Sequence, residues 1–308
     1  MTATTRPIGS WFEGLPGPLR GTAWMLMSAV SLTLMAAIIR HLSKDLHAFE
    51  IVLFRTALGF VFMAPWLASH GLSVLKTEKI GWYMLRAVMT AIAATGYFYA
   101  LAEIPLADAV AIMFSRPLYG TIFAMVFLGE LVGLRRWTAT AIGFAGVLVM
   151  VRPGFETFNL GLASVLLASI AGAVSAVLIR YLSRTEPPDT ITMYFVIFTT
   201  PIILVPALFV WETPSWEQLG WLVLMGFLGT LGQRAMSRGF ASADASIMLP
   251  VDFSRLIFAA LFGFLLFAEI PSVYTAIGAL LIFSATVYNA RREARPPSAA
   301  GDQTPPRT

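Results

Sequence analysis

Five arginines sit inside apolar runs of this chain: Arg55, Arg86, Arg116, Arg234 and Arg255. An arginine at the centre of a membrane-spanning helix costs roughly 2.5–3.5 kcal/mol on insertion scales, so it must face a protein interior or water. Its guanidinium presents a planar fork of donors that fits a carboxylate or a phosphate. Asp252 is the carboxylate placed well inside such a run, whereas Glu50, Asp108, Glu130, Asp244 and Glu269 fall near run ends. The chemistry within reach is recognition of an anionic or carboxylate-bearing solute by Arg116 and Arg255. Asp252 is the leading carrier if protons are coupled. A structural reading stands beside this one. Arg116 could be satisfied by backbone carbonyls or by a buried carboxylate. Asp252 lies three residues before Arg255, a helical spacing that predicts an ion pair.

Aromatic residues surround these charges. Ile112, Arg116, Tyr119, Phe123 and Phe127 would share one stripe of a continuous fourth helix. Tyr119 and Phe123 on that stripe are candidate walls for a solute, or plain packing. Tyr97, Phe98 and Tyr99 offer a stacking surface or interfacial anchors. Arg55 lies deep enough to line a cavity, and Arg86 is expected to snorkel toward the headgroups. The three histidines and the absence of cysteine give no metal-ligand pattern and no disulfide, and no cofactor is expected.

The elements that must position these residues are read from hydropathy. Of 308 residues, 57% are hydrophobic and 12% charged, and mean hydropathy is +0.76. That composition selects the bilayer as solvent. Apolar runs of spanning length fall at about 21–42, 48–68, 80–101, 107–128, 136–151, 159–181, 190–211, 217–238, 243–267 and 272–290. They lack strict alternation and exceed the length of barrel strands, so the expected class is an all-α membrane protein of ten transmembrane helices. The basic residues, despite a pI of 9.6, do not cluster as nucleic-acid binding requires. With the N-terminus inside, thirteen lysines and arginines fall on the cytoplasmic side against three outside, Arg40, Lys44 and Arg152. Both termini are therefore expected in the cytoplasm.

The ten runs form two sets of five. "FSRPLYGTIFAMVFLGE" at 114–130 meets "FSRLIFAALFGFLLFAE" at 253–269, an offset of 139 that aligns Arg116 with Arg255 and Glu130 with Glu269. Upstream, "IRHLSK" at 39–44 meets "IRYLSR" at 179–184. An odd number of spans per copy forces the copies into opposite orientations, an inverted repeat. The expected organisation is a cytoplasmic segment 1–20, a first repeat 21–152, a linker 153–158, a second repeat 159–290 and a disordered cytoplasmic tail 291–308.

The stretches "RPLYGTIFAMVFLGE" and "RRWTATAIGFAGVLVMV" resemble the EamA-type members of the ten-span drug/metabolite transporter superfamily. The resemblance covers residues 21–290. In the second half Leu256, Ala268 and Ala285 replace the proline and glycines of the pattern. The resemblance implies a transporter of small organic molecules, and members move amino acids, cofactors, nucleotide-like molecules and toxic metabolites. The deep charges favour an anionic or zwitterionic solute; amino acids, S-adenosylmethionine and riboflavin all stay open, and the sequence does not rank them. An exporter of drugs or toxic metabolites and a channel or lipid-headgroup translocator are the alternatives. An enzyme is not expected, because no paired carboxylates, His-rich site or Ser/His dyad is visible. The partners expected are a small-molecule substrate and the bilayer of the cytoplasmic membrane. Nothing in the sequence argues for a homodimer.

Overall fold

The computed structural model describes residues 17–128, 134–151, 159–182, 185–242 and 251–293. Its helices are α1 (Gly17–Leu42), α2 (Ala48–His70), α3 (Ile80–Glu103), α4 (Leu106–Met113), α5 (Arg116–Leu128) and α6 (Leu134–Val151) in the first half. The second half holds α7 (Leu160–Leu182), α8 (Pro188–Phe209), α9 (Trp216–Ser242), α10 (Ser254–Phe267) and α11 (Val273–Glu293). Five of these, α1, α2, α3, α7 and α8, are long and apolar enough to cross a membrane on their own. Large apolar side chains point outward along the helices, such as Ile257 at 69% exposed and Leu265 at 63%. A patch this size suits lipid rather than water.

The packing has the symmetry expected of the repeat. The most extensive pairings are α1 with α9 and α3 with α7, followed by α6 with α11 and α2 with α8. Exchanging the halves turns the first pairing into the second and leaves the other two unchanged. All four join one half to the other, so the repeats interleave and do not form separate lobes. At the α6–α11 crossing two backbones meet. A Cβ on Gly146 would stand 2.7 Å from the Gly278 carbonyl oxygen, and one on Gly278 would stand 2.6 Å from that of Gly146. Small residues at this seam replace the hydrophobic driving force that lipid does not supply.

The fourth span is not the continuous helix expected from hydropathy. It breaks at Phe114 and Ser115, where the amides bond three residues back, to Ala111 and Ile112. Pro117 is the cause, because it has no N–H to give Met113 and its ring crowds that carbonyl. The exposed Ile112 carbonyl accepts from the Ser115 amide and hydroxyl (2.9 and 2.6 Å) and from Ser169 Oγ of α7 (3.3 Å). Non-helical backbone survives at this depth only with such partners. The ninth span breaks at the equivalent Phe253 although Leu256 stands where the proline would be. There Phe253 packs against other aromatic rings, described next.

Candidate functional site

Each break puts an arginine at the start of a half-helix. Arg116 is the first residue of α5 and Arg255 the second of α10. The positive end of the helix dipole thus adds to the guanidinium charge at both places. Between the two breaks, the rings of Phe114 and Phe253 stack with centroids 4.3 Å apart, and Phe283 of α11 meets Phe253 edge-on at 4.7 Å.

Arg116 rests on α7. A Cβ at Gly172 would lie 2.7 Å from its Nε and 2.9 Å from its Cζ, so glycine is what lets the guanidinium lie flat against that helix. Its buried Nε has no hydrogen-bond partner, and the side chain makes no ion pair among the described residues. Tyr97 of α3, Arg255 and Arg55 of α2 all lie within electrostatic reach of it. Arg255 Nη2 stands 2.8 Å from Asp252 Oδ1 as an ion pair. Arg255 Nη2 also approaches Met236 Sδ of α9 at 3.3 Å. Arg55 makes neither hydrogen bond nor ion pair among the described residues. Among the described residues, three cations and one carboxylate therefore share this centre.

The structure thus gathers Arg116, Arg255, Arg55, Tyr97 and Asp252. Tyr119 lies one turn along α5, where its ring meets Phe144 edge-on at 4.9 Å. Phe123 is half-buried a further turn away, and Tyr99 is half-buried against the core on a different face of α3 from Tyr97. Ile112 leaves the expected stripe because the break intervenes, and it is fully buried on α4. The Phe127 side chain lies outside the described ones.

Arg86 does not snorkel. It is 8% exposed, donates from Nη1 to the Ile191 carbonyl at 2.8 Å and lies 5.3 Å above the Phe195 ring. Helix α8 covers it, so a carbonyl is nearer than any headgroup. One turn along α3, Thr90 and Ser175 of α7 share a hydrogen bond at 2.8 Å, tying the helix that carries Tyr97 to the one that carries Gly172. Sequence reading missed the Phe114–Phe253 stack and the Gly172 bed. The first was signalled by the repeat itself; the second left no signal.

The profile of the EamA-like transporter family matches residues 19–152 and again residues 159–291. This chain belongs to the EamA-like transporter family. The two matched segments are the two interleaved halves, and the chain is a multi-pass membrane protein of that family. It is 30% identical over 271 residues to the riboflavin transporter of Vibrio cholerae, covering 86% of this chain and 91% of that one. It is equally 30% identical over 276 residues to the S-adenosylmethionine uptake transporter of Rickettsia felis, with 90% and 94% covered. The pseudopaline exporter CntI of Pseudomonas aeruginosa is 28% identical over 272 residues, with 87% and 94% covered. A solved crystal structure superposes with a TM-score of 0.60 at 19% identity, over 89% of this chain and 98% of that one, and so shares the fold.

Proposed function

We propose that this EamA-like protein is a secondary active transporter of a small anionic or zwitterionic organic metabolite. It works by alternating access across the cytoplasmic membrane with both termini in the cytoplasm. The observation that carries the reading is the uncompensated positive charge at the two helix breaks. Arg116 and Arg55 have no carboxylate partner among the described residues, while Asp252 is engaged by Arg255. Half-helix N-termini near the middle of the membrane favour an anionic group on a solute. The relatives named for riboflavin and S-adenosylmethionine support a cofactor-like metabolite, and amino acids fit the same charges.

Purified protein in liposomes, preloaded in turn with amino acids, S-adenosylmethionine and riboflavin, tests the reading by counterflow. Saturable exchange of an anionic or zwitterionic solute is the expected result. Exchange confined to carboxylate-free lipophilic cations overturns it. Export is the second reading, favoured by the likeness to a pseudopaline exporter.

A further inference from the structure

Away from the central arginines, Arg40 near the end of α1 forms an ion pair with Glu269, just beyond the end of α10. The same arginine donates to two carbonyls at the end of α3, Leu101 at 2.9 Å and Ile104. The same carboxylate accepts the Leu106 amide at the start of α4 at 2.8 Å. A cation thus meets carbonyls left over at one helix end, and an anion meets an N–H left over at the next helix start, the arrangement each helix end favours. We infer that Arg40 and Glu269 form the latch that closes one mouth of the central site, the mouth that the charge bias places outside. The inference rests on the alternating-access reading above.

The position argues for a latch. Glu269 follows the far end of α10, whose near end holds Arg255; Leu106 begins α4, whose other end meets Arg116. At about 1.5 Å per residue the two half-helices are roughly 21 and 12 Å long, so the pair lies well out from the site along the very elements that carry it. It also joins the two halves, α1 and α4 from the first and α10 from the second. These three elements must part for a solute to reach the site from that side.

The pair can also open. Its side chains are 17% and 16% exposed and line a cavity of about 620 Å³ with Ser43, Lys44 and Glu103. Water can take over every hydrogen bond the latch releases, which a fully buried pair would not allow. Glu269 is held back over α10 by Ala268, the one non-glycine residue with positive φ (55°) among the described residues. That left-handed turn is strained for alanine. The Glu269 amide then bonds the Gly263 carbonyl at 3.0 Å. A turn of this kind under a water-accessible ion pair is one that can give way without stranding a buried charge. By sequence, the repeat places the same residue types at the mirrored positions, Arg180 and Glu130, whose side chains lie outside the described ones.

Access to the centre can be read without any solute. The chain has no cysteine, so Tyr97→Cys alone reports on it through an impermeant maleimide applied to one side of oriented vesicles. Arg40→Gln and Glu269→Gln should each speed labelling from the Arg40 side by about 5- to 150-fold, an ordinary conformational coupling. Labelling from the other side should fall by the same shift. The double variant should label no faster than the faster single, because one contact is lost either way. Unchanged labelling in folded variants overturns the latch, and so do additive effects or faster labelling from both sides, which would mean a loosened fold. Should Arg40→Gln not fold, the near-isosteric Glu269→Gln carries the same decision. If the latch variants behave as stated but exchange is confined to carboxylate-free lipophilic cations, the reading of the solute fails while alternating access and its latch stand.

Discussion

Phe114 and Phe253 occupy equivalent positions of the two halves and stack on each other, 4.3 Å between centroids and 26° between planes. An operation that exchanges two touching residues has its axis between them. The pseudo-twofold axis of the protein therefore runs through this stack, and Arg116 and Arg255 follow two residues later on either side of it. Symmetry alone makes the two arginines equals; what separates them is Asp252, which has no counterpart near Arg116.

That difference makes Arg116 the arginine on which substrate affinity should depend. Arg116→Lys keeps the charge but loses the planar fork. Apparent affinity should fall by about tenfold, near the worth of one hydrogen bond to a charged group, with expression near normal. Arg116→Ala should abolish counterflow. Wild-type rates in Arg116→Ala would move recognition to Arg55 or Tyr97.

Asp252→Asn strands the Arg255 charge and should cost up to about 3–5 kcal/mol of stability. The double variant with Arg255→Gln should recover much of it. Melting profiles by size-exclusion chromatography decide between this and a proton-carrier role. In the latter case Asp252→Asn folds normally and loses only the pH gradient dependence of transport.

Gly172→Ala puts a methyl group against Arg116 Nε and Cζ. The arginine's end can move aside, and alanine favours the helix by about 1 kcal/mol over glycine. Thermal stability should hold or rise while apparent affinity drops. Unchanged affinity with the parent melting temperature would show that Arg116 does not need its bed.

Ala268→Gly removes the strain at φ 55°. A gain of roughly 0.5–1 kcal/mol is expected, the left-handed penalty less the freedom glycine adds to the unfolded chain. A lower melting temperature would contradict it.

A cysteine replacing Glu186 should be labelled by an impermeant reagent only from the cytoplasmic side, the orientation that the lysines and arginines predict. Labelling from outside intact cells would reverse the assignment of the two mouths.

Much of this was legible in the sequence because arginine is rare in such a chain. Two copies of Phe-Ser-Arg revealed the repeat, and a spacing of three revealed the Asp252–Arg255 pair. What was not legible depends on neighbours brought together by the fold. Hydropathy runs on through the fourth span without noticing that Pro117 breaks it. Arg86 reads as a residue near a membrane surface until α8 is laid over it. Arg40 counted only as a charge on one side of the membrane, since its partner stands 229 positions later in the chain. That Ala268 stands in place of a glycine was legible, but that it adopts a left-handed turn is clear only from its dihedral angles.

The imbalance at the centre among the described residues, three arginines against one aspartate, has an electrical consequence. When access switches sides, a site at mid-depth passes from the potential of one compartment to that of the other, at up to about 2.3 kcal/mol per net charge for each 100 mV. The empty site, with a surplus of two positive charges, is then drawn to face the negative compartment. A bound dianion cancels the surplus and leaves the loaded site indifferent to voltage. An inside-negative membrane would thus act on the return of the empty carrier and hardly on the loaded step. Currents recorded from solid-supported membranes should show charge displacement even when no solute is present.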